Sequence, residues 1–154
     1  WKVLQGNERS ISSNHRRYSR FTDSYHDTYW TIGVWQYVHG EIIPCRNGLH
    51  MSPTPAEAWA YVQGDVLALV EGAGTSVNSS DKYSRAKSAH SQMRIIRAVV
   101  LPDNVRREAN LKYDEYWDFF PFLWDGPKKP KLPKTDAYLR QVFKELPAIK
   151  PVQQ

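Results

Sequence analysis

The sequence predicts one α+β domain with a small split or mixed β-sheet, one central helix and a C-terminal helical extension. Three observations predict this class. Segments of strand length, rich in apolar, β-branched and aromatic residues, are spread over the first part of the 154-residue chain. One capped helix start lies between them, and a clear amphipathic pattern with helical spacing comes near the C-terminus. Because strands and helices do not alternate, a βαβ array is not expected.

Four longer segments are predicted to be strands. Residues 1–5 alternate and contain β-favouring types, and residues 30–38 are aromatic and β-branched. Residues 66–70 form a continuous apolar run of strand length, which is typical of a buried strand. Residues 93–102 contain apolar pairs, which predict burial on both faces. The polar segments between these strands, residues 9–29 and the basic stretch 75–92, are predicted to be surface connections.

The middle of the chain carries turn and helix signals. Residues 39–44 are predicted to form a turn and a short strand, and Gly48 is the expected residue at positive φ in the turn that follows. Thr54 is the predicted cap of the central helix, and Pro55 suits its first position. Glu57 completes a capping-box pattern with Thr54.

The end of the chain is predicted to be an extension, residues 105–154, packed on a core domain of residues 1–104. It contains a helical pattern, an aromatic segment from Tyr113 to Trp124 and a Pro/Lys-rich linker. An amphipathic helix over residues 135–146 has an apolar stripe that consists of Leu139, Val142, Phe143 and Leu146. The alternative is that the aromatic segment and this helix dock on a neighbouring protein.

The composition of the chain limits the classes of partner and compartment that it suits. A net charge of +5 and a sequence pI of about 9.3 favour an anionic partner such as nucleic acid. No apolar run approaches the ~20 residues that span a bilayer, so no membrane partner is expected. The single cysteine excludes an internal disulfide and suits a reducing compartment. The chain starts at Trp1 rather than at a methionine, which leaves room for sequence before it.

The cysteine lies in the turn before the central helix, with two histidines nearby. Cys45, His39 and His50 fall within twelve residues, but their spacing matches no common zinc motif, so no metal site is predicted. A reactive thiol would need a neighbouring base, for which His50 is the candidate. The residue type favours a buried Cys45 that packs as a small hydrophobe. No Walker loop or dinucleotide glycine fingerprint occurs, so no cofactor is expected from the motifs.

Two polar segments carry basic residues that suit a nucleic-acid backbone. In the stretch HRRYSRF, which ends at Phe21, arginines are interleaved with aromatic rings. Arginine and lysine contact phosphates, while aromatic rings stack on bases. The predicted phosphate contacts are Arg16, Arg17, Arg20, Lys82, Arg85 and Lys87, and the predicted stacking residues are Tyr18 and Phe21. The alternative is that both segments are solvated loops.

Several blocks of the chain resemble one known family. In order, they are WKVL, CRNGLHMS, AWAYV, VLALVEGAG, SSDKYSRA and RIIRAVV. They are similar to small domains of unknown function that are frequent in bacteriophage and actinobacterial genomes. The resemblance covers about residues 1–101 without the stretch 9–29, and C-x-N-G-L-H is among its most specific parts. It implies a bacteriophage or bacterial origin, a location in the host cytoplasm or in the virion, and no established activity.

A looser resemblance is to the ADP-ribosyltransferase fold. LQGN, GLHMS…AEAWAY and VLALVEGAG follow the order of that fold's first strand, its block before a helix, and its apolar strand with Glu and Gly. This resemblance implies an NAD-using transferase in which Gln5, His50 and Glu71 are catalytic and Tyr61 binds the cofactor. The chain departs from the fold's pattern at Gln5, at His50 and at Lys82, which lies near the position of the catalytic Glu. In these enzymes an oxocarbenium-like cation develops near the catalytic Glu, and a lysine at that place would repel it.

Three functions therefore stay open. The first is a phage-type accessory protein that binds an anionic partner, with nucleic acid first among the candidates. The second is a divergent ADP-ribosyltransferase-like enzyme that uses NAD. The third is a virion structural or interaction protein that uses the extension as its docking element. The sequence leaves the oligomeric state and the choice between DNA and RNA open.

Overall fold

The computed structural model describes residues 1–6, 21–23, 26–61, 64–80, 86–119 and 133–151. Within these ranges the strands and helices, in chain order, are β1 (Lys2–Gly6), β2 (Phe21–Asp23), β3 (His26–Trp30), β4 (Gln36–Tyr37), β5 (Leu49–Met51), α1 (Pro55–Tyr61), β6 (Val66–Ser80), β7 (Ala86–Val100), α2 (Asp103–Phe119) and α3 (Pro133–Glu145). The predicted α+β class is confirmed, because the described strands form one sheet and the helices pack on it.

The sheet is built around the pairing of its two longest strands. β6 and β7 pair from Val66 opposite Val100 to Ser80 opposite Ala86. The strand order is β3-β2-β1-β6-β7-β4, with β5 also on β7, and each described pairing is antiparallel. The backbones of Trp1 and Ser52 exchange two hydrogen bonds of 2.7 and 2.9 Å. The hydrogen bonding therefore runs in a closed circuit from β1 through β6, β7 and β5 back to residue 1.

The prediction of one strand over residues 30–38 is wrong. β3 ends at Trp30, and β4 covers only Gln36–Tyr37. Between them Gly33 adopts a φ of 80° and donates its N–H to the Ile95 carbonyl at 2.9 Å. Glycine tolerates this left-handed conformation because it has no Cβ. The aromatic and β-branched residues around Gly33 favour a strand by composition, so the pattern of residue types does not predict the turn.

The prediction of a polar connection over residues 75–92 is also wrong for its described residues, 75–80 and 86–92. The segment 66–70 is part of β6, and residues 93–100 of the segment 93–102 are part of β7; the two strands each extend over 15 residues. Their polar half is held by backbone ladder bonds, which do not require apolar side chains. Register shifts at Leu69/Val70 and Ala73/Ser76 interrupt the ladder. β2 and most of β3 likewise fall within the stretch that was expected to be a loop, residues 9–29.

The central helix is confirmed as α1, with the predicted cap. The Glu57 N–H donates to Thr54 Oγ1 at 3.2 Å, and the Thr54 hydroxyl donates to the Glu57 carboxylate at 3.0 Å. Pro55 is the first helical residue. The buried indole of Trp59 donates to Asn110 Oδ1 at 3.1 Å, which links α1 to α2. In the described part of the chain, no helix combines the length and the apolar composition needed to cross a bilayer.

Two apolar clusters lie on opposite faces of the sheet. One contains Met93 and Ile95 of β7. The other contains Leu67 and Val99 together with apolar residues of the three helices, and we call this side the helix-side face. The predicted stripe of α3 is confirmed on that face, where Leu139, Val142 and Phe143 are buried and Leu146 packs against the cluster. The described part of the extension therefore packs on the sheet.

Candidate functional site

A tight turn over residues 43–47 carries Cys45 and leads through Gly48 into His50 on β5. Cys45 has a φ of 67°, a region that residues with a Cβ rarely adopt. Gly48 has a φ of 147°, which confirms the prediction of a positive φ there. A Cβ on Gly48 would come within 3.0 Å of the Ala89 Cβ on β7. The close approach of this turn to β7 therefore requires glycine.

The turn brings side chains from three parts of the chain together. The Cys45 N–H donates to His50 Nε2 at 2.9 Å, so the neutral imidazole carries its proton on Nδ1. Lys87 Nζ on β7 lies 2.6 Å from Cys45 Sγ. The same ammonium lies 4.8 Å from the ring centroid of Tyr61, at the end of α1. We call Cys45, His50, Tyr61 and Lys87 the basic–aromatic cluster.

The prediction that Cys45 is buried as a small hydrophobe is wrong. Its side chain is exposed, and the neighbour of its sulfur is the Lys87 ammonium rather than an apolar side chain. The turn is held by backbone bonds and by His50, so it does not depend on burial of the thiol. Among the residues that the structure describes, no group of three or more His, Cys, Asp or Glu side chains is placed to hold a metal ion.

Arg94 lies on the helix-side face of β7. Its neighbours Met93 and Ile95 are buried in the cluster on the opposite face, and side chains of a strand alternate between faces. Arg94 Nε donates to the carboxylate of Glu71, its cross-strand partner on β6, at 2.7 Å. Its guanidinium carbon lies 4.8 Å from the ring centroid of Trp35. Arg94 is thus held between a carboxylate and an indole ring.

Lys87 lies on the same face of β7 as Arg94. Leu49 is buried in the cluster on the opposite face and pairs directly with His90. Lys87 is three positions from His90, so its side chain points to the helix-side face. The register shift at Ala73/Ser76, which lies between the partners Gln92 and His90 on β7, interrupts the alternation, so Lys87 and Arg94 share this face although they are seven positions apart. The contact with Tyr61 agrees with this placement, because α1 belongs to the helix layer.

A section of the helix-side face remains open to solvent. Tyr37, opposite Gln92 on β7, is 61% exposed, and the side chains of Arg94 and Glu71 are 37% and 46% exposed. We call the part of the face that carries Trp35, Tyr37, Glu71, Lys87 and Arg94 the open section; Trp35 and Lys87 are half-buried there. Lys87 and Arg94 each lie 4.8 Å from an aromatic ring centroid. This combination of cations and rings suits a ligand with both anionic and aromatic groups.

The residues implied by the transferase resemblance lie in separate parts of the fold. His50 and Tyr61 both belong to the basic–aromatic cluster, whereas Glu71 forms its ion pair in the open section. The β1–β6 register places Gln5 level with residue 65, six positions from Glu71 and about 20 Å along the strand. The structure thus joins His50 and Tyr61 through Cys45 and Lys87 and places Gln5 and Glu71 elsewhere. Their catalytic and NAD-binding roles stay predictions.

Most residues predicted to bind nucleic acid lie outside the described residues. These are Arg16, Arg17, Tyr18, Arg20, Lys82 and Arg85. Phe21 contributes its backbone to β2, while its side chain also lies outside the described part. Lys87 is described, and it lies in the basic–aromatic cluster on the helix-side face. One of the eight predicted contacts can therefore be placed on a surface.

Sequence reasoning missed Arg94, Trp35 and Tyr37. A signal for the two rings was present, because the alternation in Trp-Gln-Tyr puts residues 35 and 37 on one face of an extended segment. No comparable signal existed for Arg94. Its position over Trp35 depends on the pairing of β4 with β7, which joins segments more than 50 residues apart.

His90 gives the fold an expected pH dependence. It is 9% exposed, with Nε2 2.8 Å from Ser88 Oγ, and burial lowers the pKa of its imidazole below the ordinary value of 6.5. The unfolded chain therefore binds a proton more readily, so this stabilisation is complete above pH 6.5 and is lost as the pH falls toward the lower native pKa. We expect the difference in unfolding free energy between the wild type and His90→Gln to shrink from pH 7.5 to pH 5, measured by urea unfolding. The same pH dependence of the unfolding free energy in the wild type and in His90→Gln would contradict this account.

Comparison of the chain with protein-family models, with curated proteins and with solved structures finds no match.

Proposed function

We propose that this protein binds an anionic partner, nucleic acid, through the open section of its sheet, as a phage-type accessory protein would. The observation that carries the proposal is the position of Lys87. It is the last lysine or arginine of the basic stretch 75–92, and its ammonium lies beside the ring of Tyr61 on the helix-side face. A cation next to an aromatic ring offers a phosphate contact and a stacking surface at one place.

The charge of the chain supports an anionic partner. The net charge is +5, and Arg94 adds a second cation on the same face of β7. Each lysine or arginine that neutralises a phosphate releases counterions, so binding of this kind weakens steeply as salt is raised. The proposal therefore implies a negative slope of affinity against salt concentration.

Lys87→Ala is expected to weaken binding to a short fluorescent oligonucleotide. The loss should be severalfold at low salt, and the slope of log affinity against log salt should become shallower by about 1, since one phosphate contact is removed. Fluorescence anisotropy over a salt series measures both quantities. The matched control is Lys112→Ala, which removes another lysine whose Nζ lies over a tyrosine ring, 5.4 Å from Tyr138, on the helices. The control should bind as the wild type does.

Three results would remove the proposal. The first is the absence of oligonucleotide binding by the wild type at low salt, and the second is binding that is indifferent to salt. The third is an equal effect of the Lys87 and Lys112 substitutions, because the open section would then have no special part in binding.

Glu71→Gln separates this proposal from the transferase alternative. Glu71 neutralises Arg94 through the 2.7 Å ion pair, so removal of its charge should strengthen binding of an anion to the open section. A catalytic Glu71 would instead make NAD-dependent transfer fall on the same substitution. Anisotropy with the oligonucleotide and an assay of NAD-dependent transfer, performed on the same variant, give opposite outcomes for the two functions.

A further inference from the structure

We infer that the nucleic acid is single-stranded and lies along β7 from Lys87 to Arg94, with its bases against the rings of the open section. This inference rests on the proposed function and deepens it by naming the form of the partner. It assigns binding roles to Trp35, Tyr37 and Arg94, which belong to neither of the predicted basic segments.

The rings of the open section favour unpaired bases. Tyr37 is 61% exposed on a surface that is flanked by cations, and no strand lies beyond β4 on that side of the described sheet. A duplex presents phosphates and groove edges but keeps the faces of its bases stacked inside, whereas a single strand can place its bases on aromatic side chains. An exposed ring of this kind thus adds affinity for a single strand and little for a duplex.

The spacing along β7 suits several nucleotides. Lys87 and Arg94 are seven positions apart, which corresponds to about 23 Å along an extended strand. Successive phosphates on one strand are separated by ~3.4 Å along the axis of a duplex, so a path of about 23 Å is long enough for several nucleotides. The Tyr37–Gln92 pair lies between the two cations on the same face. The Gln92 amide offers both a donor and an acceptor to a base edge.

The two cations have different chemical surroundings. The Lys87 ammonium lies against a thiol and a ring, and such a compact charge suits a phosphate. The Arg94 guanidinium is fixed by Glu71 at 2.7 Å and lies over Trp35, so its charge is partly neutralised while its plane is oriented. Guanidinium planes stack on bases. Lys87 is thus the phosphate contact, and Arg94 with Trp35 is a stacking platform.

The test compares three fluorescent probes with the wild-type chain at low salt. They are a single-stranded oligonucleotide, the duplex formed with its complement, and an abasic strand of the same length, which has the same phosphates but no bases. We expect the single strand to bind about tenfold more tightly than either of the other probes, since stacking of one or more bases is lost in both. This comparison needs no substitution and cannot be confused with a folding defect.

Two substitutions at one position identify the ring. Tyr37→Leu keeps an apolar side chain but removes the ring, and it should reduce the preference for the single strand over the abasic strand severalfold, since one stacking surface is lost. Tyr37→Phe keeps the ring and should retain the preference. Because Tyr37 is 61% exposed, both variants should unfold at the temperature of the wild type.

The outcomes distinguish the inference from the proposed function. Equal affinity for the three probes, or a full preference for the single strand in Tyr37→Leu, overturns the single-strand inference. The proposed function would still stand in that case if Lys87→Ala weakens binding. Tighter binding of the duplex also overturns the inference, because it places the contacts on grooves and phosphates. If none of the three probes binds at low salt, the proposed function and the inference fail together.

Discussion

Leu139→Ala is expected to lower the free energy of unfolding by about 2–5 kcal/mol. Leu139 on α3 is 0% exposed and lies in the cluster with Leu67 and Val99 of the sheet. Its truncation removes buried apolar atoms and leaves a cavity that the sheet and the helix cannot close without moving. Urea unfolding followed by circular dichroism measures the change.

Leu111→Ala is the matched control for this prediction. It makes the same chemical change on α2, but Leu111 is 58% exposed, so the expected cost is about 0.5 kcal/mol or less. Equal effects of the two substitutions would show that α3 does not pack on the sheet in solution. The alternative that the C-terminal helix serves a neighbouring protein would then regain support.

Gly64→Ala is expected to destabilise the protein by about 3 kcal/mol, because the added methyl group has no space. A Cβ on the buried Gly64 would overlap the carbonyl oxygen of Leu4 and lie 3.1 Å from Val3 Cγ1. A backbone carbonyl cannot rotate away as a flexible side chain can. Relief of the overlap would require β1 to move relative to β6, with loss of ladder bonds at Leu4 and Val66. Thermal and urea unfolding measure the loss.

Gly33→Ala measures the free-energy cost of placing a side chain at a positive φ, without a steric overlap. Gly33 has a φ of 80°, and a Cβ there would meet no atom within 4 Å. Its replacement should therefore cost about 1 kcal/mol, from the left-handed backbone conformation alone. A loss in Gly64→Ala no greater than in Gly33→Ala would contradict the close approach of β1 to Gly64.

The correct predictions from sequence concern interactions between residues close in the chain. The Thr54–Glu57 cap joins residues three positions apart, and the stripe from Leu139 to Leu146 repeats within two helical turns. The apolar run at 66–70 is likewise a local feature, and it lies in β6. Such patterns are visible in the sequence because the atoms that interact are specified by short spacings.

The errors arose where pairing with a distant segment overrides local composition. Residues 75–80 and 86–92 are polar, yet they are strand because each supplies the ladder partners of the other. Residues 30–38 are apolar and β-branched, yet they turn at Gly33, whose N–H bonds to Ile95. Cys45 has a residue type that is usually buried, yet it lies in a turn at the surface beside Lys87.

The candidate site also combines features that local sequence patterns predict with features that depend on pairing between distant segments. The sequence by itself determined the α+β class, the capped central helix, the buried face of α3 and the basic character of the chain, because these follow from residue types and short spacings. The tertiary structure alone decided that Lys87 meets Cys45 and Tyr61, that Arg94 lies over Trp35, and that both cations share one face of β7. The physical reason is register: the β6–β7 and β4–β7 ladders determine which distant side chains become neighbours, and a shift of one residue would turn each of them to the opposite face.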